Sequence, residues 1–282
     1  MGAPAGAPTP SAPPPLMNDA TATGTPTLEL RDVSKSFGSV QALSDVEFEV
    51  RPGEVMALVG DNGAGKSTPI KCIAGIYTAD SGEIFFEGQP VTIHGPKDSA
   101  KLGIEVVYQD LALCDNLDVV QNMFLGREAH SQFQILNEPE MEARTSETMK
   151  GLSVTTIRST RQLVATLSGG QRQSVAVARA VLWNSRVVIL DEPTAALGVA
   201  QTQQVLDLVK RLAEQGLAVV LISHNLHDIF AVADRITVLR PGRSIGVYER
   251  SKTTQQELVE AITAGVPTRV SGIAGTGIEE DA

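Results

Sequence analysis

The segment Gly60-Asp61-Asn62-Gly63-Ala64-Gly65-Lys66-Ser67-Thr68 constrains this chain more than any other. It matches G-x-x-x-x-G-K-[ST] and directly follows the apolar run Glu54 to Val59, the strand-then-loop context that the pattern requires. Its glycines let successive backbone N–H groups turn inward around a phosphate, Lys66 reaches the β- and γ-phosphates, and Ser67 binds Mg2+. The segment alone specifies a nucleoside triphosphate and a strand–loop–helix unit. A chance glycine loop is the alternative, and the buried strand in front of it argues against that.

The rest of the chain supplies an alternation of strands and helices. Leu28 to Val33 and Val46 to Val50 have apolar residues at period two, and Ile104 to Tyr108, Val187 to Leu190, Leu217 to Ser223 and Arg235 to Leu239 read as buried strands. Helical spacing marks Gln171 to Leu182, Thr202 to Leu212 and Thr254 to Ile262. Leu111 to Arg161 lacks strong strand patterns and holds Glu138 to Leu152 as a helix, so it is expected to be a helical insertion in an α/β sheet. Residues 1–26, mostly Ala, Pro, Gly, Ser and Thr, are expected to form a disordered tail without a secretory signal, and residues 265–282 a flexible acidic one. The 33 acidic residues against 23 basic ones give a net charge of -10 and argue against a nucleic-acid partner. The longest apolar stretch, around Leu217 to Ile222, falls far short of the roughly 18 to 20 residues that span a bilayer. Cys72 and Cys114 indicate neither a disulfide framework nor a zinc site.

Two more segments extend the phosphate-loop reading. Val187-Val188-Ile189-Leu190-Asp191-Glu192 is a buried strand that delivers Asp191 to the Mg2+ side and Glu192 beside an attacking water. Leu167-Ser168-Gly169-Gly170-Gln171 opens a helix that Ser168 can cap, with the Gly169 and Gly170 amides suited to an anion. With these motifs in order, the sequence resembles the ATP-binding cassette (ABC) family, whose signature is LSGGQ, over about residues 27–264. The resemblance implies a P-loop NTPase with a RecA-like core sheet, an antiparallel β subdomain and a helical signature-motif subdomain at about 110–180. It implies an ATPase in which Phe37 stacks on adenine and Gly60, Asn62, Gly63, Gly65, Lys66, Ser67 and Thr68 hold the phosphates. Ser67, Gln109 (the Q-loop position) and Asp191 are implied as Mg2+ ligands. Glu192, His224 (the switch histidine), Lys66 and Gln109 are implied as the catalytic set. Two cassettes then pack head to tail, so that Ser168, Gly169, Gly170 and Gln171 act on ATP held by the second subunit. One copy of each motif implies a homodimer or a second cassette chain, bound to an integral membrane permease at the cytoplasmic face and served indirectly by a sugar-binding protein.

Glu105 to Leu113 and Asn122 to Glu128 resemble the ATPases of bacterial monosaccharide importers of the ribose, xylose and fructose type, and Thr194-Ala195-Ala196-Leu197-Gly198 the single-cassette, fructose-importer-like branch. A soluble non-transport ABC ATPase and a binding-only cassette impaired by Pro69 are the alternatives. Sustained heptads, which the soluble relatives often carry, are absent from the sequence. Two positions depart from the family. Gly198 replaces the usual Asp, and Pro69 replaces an aliphatic residue. If Lys66 opens the helix, Pro69 forfeits a bond to the Gly65 carbonyl, crowds that carbonyl and pushes Thr68 out of the helical region. If the helix starts one residue later, the proline is harmless. Arg240-Pro241-Gly242-Arg243 reads as a turn.

Overall fold

Val187, Val188, Ile189 and Leu190 each have 0% exposure, so the strand they form has no solvent face and must lie in a sheet covered on both sides. A computed structural model describes residues 24–131 and 135–264; both expected tails, up to residue 23 and from 265 onward, lie outside the described residues. The first half of the chain forms β1 (Leu28–Phe37), β2 (Val40–Val50), β3 (Val55–Val59), α1 (Ser67–Ile73), β4 (Ser81–Phe86), β5 (Gln89–Val91), α2 (Pro96–Lys101), β6 (Ile104–Val107) and α3 (Val119–Phe124). The second half forms α4 (Glu138–Gly151), α5 (Gly169–Val181), β7 (Val187–Asp191), α6 (Val199–Glu214), β8 (Ala218–Ile222), α7 (Leu226–Val232), β9 (Arg235–Arg240), β10 (Arg243–Glu249) and α8 (Gln255–Ala264).

The strands make two sheets. One has the order β10-β9-β3-β8-β7-β6, and the other is antiparallel, in the order β2-β1-β4-β5. In the larger sheet every pair is parallel except β9 with β10. Side chains alternate across it as the two-residue period demands. Val187, Ile189, Val220 and Ile222 join Leu28, Leu30, Phe48 and Ile73 in a core between the sheets. Val188, Leu190, Val219 and Leu221 face the opposite core with Phe124, Met149, Val175 and Leu208. The segment expected as a helical insertion contributes α3 and α4, which pack on α5 in this second core.

β4, β5, β10, α2, α3 and α7 go beyond the sequence expectations, and β2 begins at Val40 rather than Val46. The strands among them are half-exposed edges or hairpin partners, defined by pairing more than by a hydrophobic run. In the β1–β2 hairpin, Phe37 pairs with Val40 across Gly38 and Ser39, and Gly38 takes φ +60°.

The structure divides the two expectations for Pro69: Lys66 already has helical dihedrals (φ -48°, ψ -42°), while the regular helix runs from Ser67. α1 begins at Ser67, Thr68 lies within it, and Pro69 occupies its third position, where no intrahelical donor is required. The Gly65 carbonyl that Pro69 would leave without a donor accepts the Thr68 N–H at 2.9 Å instead. This shorter bond keeps Thr68 helical and leaves the buried proline ring on α1.

Candidate functional site

Strand register brings the motifs together. Leu58 pairs with Ile222, Ile222 with Asp191, and Leu190 with Val107, so β3, β8, β7 and β6 end along one edge of the sheet. Gly60, Glu192, His224 and Gln109 all lie within two residues of that edge, where loops after parallel strands converge on a ligand. A cavity of about 550 Å³ opens there, lined by Phe37, Asn62, Gly63, Gly65, Lys66, Ser67, Thr68, Gln109, Asp191 and Glu192.

The loop after β3 is shaped by close packing. A side chain at Gly65 (φ +96°) would approach the Ala42 carbonyl oxygen to 2.8 Å, and one at Gly242 (φ +70°) would reach the same oxygen at 2.6 Å. The Ser44 N–H donates to the Gly242 carbonyl at 2.7 Å, and the Gly242 N–H to the Ala64 carbonyl at 2.9 Å. The β2 strand and the β9–β10 turn thus clamp the phosphate loop. Sequence reasoning read the Gly242 turn and missed this clamp, which joins residues remote along the chain; Ala42, Pro241 and Gly242 also line the cavity. Lys66 Nζ donates to the Gly60 and Asp61 carbonyls at 2.8 and 3.0 Å, spanning the loop from inside. Gly60 is therefore part of the cradle without lining the cavity.

At the far wall, Glu192 is 16% exposed and faces a far more open His224, whose Nδ1 lies 2.8 Å from Glu192 Oε2. The Glu192 N–H donates to the Ile222 carbonyl at 2.9 Å. Burial, and then the Glu192 charge, push the Asp191 carboxyl above its ordinary value, with Lys66 and Lys71 opposing. Burial and Asp191 likewise push up the Tyr108 phenol beside Gln109. Phe37, 43% exposed, meets Tyr77 edge to face at 4.9 Å between ring centres, and Lys35 Nζ stands over its ring at 5.7 Å from the centre. Tyr77 was not among the residues singled out from sequence.

The four signature residues lie elsewhere. Ser168 caps α5: its Oγ accepts the Gln171 N–H, and the Gln171 side chain accepts the Ser168 N–H at 2.9 Å. This capping box fixes the helix start. Gly169 and Gly170 pack against Leu197 and Gln201 of the neighbouring turn and α6. None of Ser168, Gly169, Gly170 and Gln171 lines the cavity, and Ser168 and Gly169 are exposed. Within one chain the structure joins the phosphate loop, both acids, Gln109, His224 and Phe37, and it leaves the signature turn facing outward.

The sequence profile of the ABC transporter family matches residues 43–195. The chain is 46% identical over 244 residues to the fructose import ATP-binding protein FrcA of Rhizobium meliloti, covering 84% of this chain and 94% of that protein. It is 45% identical to the xylose/arabinose import ATP-binding protein XylG of Sulfolobus acidocaldarius, with the same coverage. A ribose import ATP-binding protein of Yersinia pestis is 42% identical over 83% of this chain, which spans only 46% of that protein. Among solved structures, a nucleotide-free ATP-binding cassette from an ABC transporter superposes with a TM-score of 0.72 at 26% identity, covering 79% of this chain and 91% of that one. A dimeric post-hydrolysis cassette bound to ADP and Pi does so with a TM-score of 0.66 at 26% identity, covering 79% and 98%.

Proposed function

The chain belongs to the ABC transporter family of ATP-binding cassettes, and from that premise we propose that it hydrolyses ATP to drive a monosaccharide importer. It works as a homodimer at the cytoplasmic face of the membrane, on an integral permease supplied by a sugar-binding protein. The observation that carries the ATPase reading is the cavity that gathers Lys66, Asp191 and Glu192 at one sheet edge. The monosaccharide comes from the names of the fructose and xylose/arabinose relatives, almost all of whose length this chain covers.

The residues divide the work. Phe37, exposed at the cavity, stacks on adenine, while the loop amides and Lys66 offset phosphate charge. Glu192, set on a rigid strand end and faced by His224, polarises the attacking water. Ser67, Gln109 and Asp191 all line the cavity, and their hydroxyl, amide and carboxylate oxygens fit a divalent cation that these three would hold. Mg2+ would supply neutralisation of the β- and γ-phosphate oxygens. The exposed Ser168 and Gly169 at the start of α5 support a site completed by a second copy, whose helix N-terminus meets the γ-phosphate.

Glu192→Gln tests this reading. It should bind ATP like the parent, hydrolyse it roughly a hundredfold more slowly or worse, and accumulate an ATP-bound dimer in sedimentation. Unchanged turnover would remove Glu192 from its role, and an ATP-bound monomer would remove the sandwich. Reconstitution with the permease in liposomes tests the transport reading: sugar-loaded binding protein should stimulate turnover.

A further inference from the structure

The turn that carries Glu192 is held in an unfavourable backbone conformation. Glu192 has φ +51°, which a residue with a Cβ keeps only where its surroundings impose it. Two restraints are its bond to the Ile222 carbonyl and its contact with His224. A third lies two residues along, where the Thr194 hydroxyl donates to Asp228 Oδ2 at 2.6 Å.

Asp228 stands in the first turn of α7 and is only 2% exposed. It does not line the cavity. A carboxylate withdrawn this far from water is costly unless hydrogen-bonded, and a pair of apolar side chains would fill the same space without that cost. What the hydrogen-bonded pair contributes here is direction. It ties α7, which follows the His224 loop, to the turn that follows Glu192. Inside that turn the Ala195 N–H donates to the Glu192 carbonyl at 3.1 Å and the Leu197 N–H to the Thr194 carbonyl at 3.2 Å. Leu197 in turn sits so close to Gly169 that a Cβ there would lie 2.9 Å from its Cδ2.

We propose that Asp228 is a positioning residue for hydrolysis: through the Thr194 hydroxyl it fixes the turn from Glu192 to Leu197, holding the Glu192 carboxylate at the cavity and Leu197 against the signature segment. This rests on the reading of Glu192 as the residue beside the attacking water. The contact joins the turn after Glu192 to α7 and involves neither the phosphate loop nor Phe37, so its loss should lower kcat and spare ATP binding.

The test compares Thr194→Val and Asp228→Leu, which remove the bond, with Thr194→Ser and Asp228→Asn, which keep a donor and an acceptor. The first pair should lower kcat at least about tenfold with KM for ATP within about twofold, and the second pair should stay near the parent. Hydrogen exchange of the Glu192 amide gives a readout that needs no turnover: it should accelerate about tenfold in the first pair and remain protected in the second. Parent-like exchange and kcat in Thr194→Val would overturn the proposal, as would a Thr194→Ser variant as impaired as Thr194→Val. If the parent itself fails to hydrolyse ATP, the ATPase reading falls, while the exchange comparison still decides whether Asp228 holds the turn.

Discussion

A methyl group at position 60 should disable the site without altering any group that does chemistry there. A Cβ on Gly60 would lie 2.2 Å from the Leu239 carbonyl oxygen and 3.0 Å from the Ala64 Cβ, where 3.0 Å marks the lower limit of real contacts. The loop and the end of β9 must therefore separate by about 0.8 Å. β9 is held between β3 and β10, so the phosphate loop moves. Lys66 moves with it, because its Nζ bonds the Gly60 carbonyl. A displacement of about 1 Å in a positioned group costs roughly a hundredfold in rate. Overpacking adds about 1 to 3 kcal/mol of destabilisation, or roughly 2 to 12 °C in melting temperature for a domain of this size. The assay is ATP turnover beside thermal melting for Gly60→Ala, with Gly63→Ala as the contrast. A methyl on Gly63 would meet no atom within 4 Å, but its φ is +81°, so this variant reports backbone cost alone, about 1 to 2 kcal/mol. Turnover of Gly60→Ala within about threefold of the parent would refute the steric argument.

Two other outcomes follow from the same wall and the same loop. The Asp191 carboxyl is pushed up chiefly by burial and then by Glu192, so the unfolded chain loses that proton first, and stability falls as pH rises from the ordinary carboxylate range through the raised value. Without nucleotide or metal, Asp191→Asn should therefore melt above the parent at pH 7, converge with it at pH below the carboxylate range, and lose hydrolysis; equal melting at pH 7 would contradict the burial argument. Pro69→Leu should leave ATP affinity and turnover within about twofold of the parent, since Gly65 already has Thr68 as its donor. A tenfold gain in either by calorimetry or turnover would show that the proline distorts the loop after all.

The parts of this protein legible in its sequence are those encoded by neighbouring residues. Val187 to Leu190 announces a strand buried on both faces, Ser168 and Gln171 announce a helix start, and the glycines around Lys66 announce a loop that cradles phosphate, because each depends on local sterics and local hydrogen bonds. The weakly patterned strands β4 and β5 carry no such signal, since their identity comes from pairing with β1 and with each other. Local pattern left open whether the Gly65 carbonyl finds a donor beside Pro69, and the bond from Thr68 supplies one. Nor does it contain the strand order that sets β3 between β8 and β9, and with it the meeting of Lys66, Asp191 and His224 at one edge. The clamp of Ala42 and Gly242 on the phosphate loop and the tie from Asp228 to Thr194 are likewise products of tertiary packing. The physical reason is that a motif fixes the conformation of its own few residues, whereas the distance between motifs is set by the burial of whole sheets against two cores.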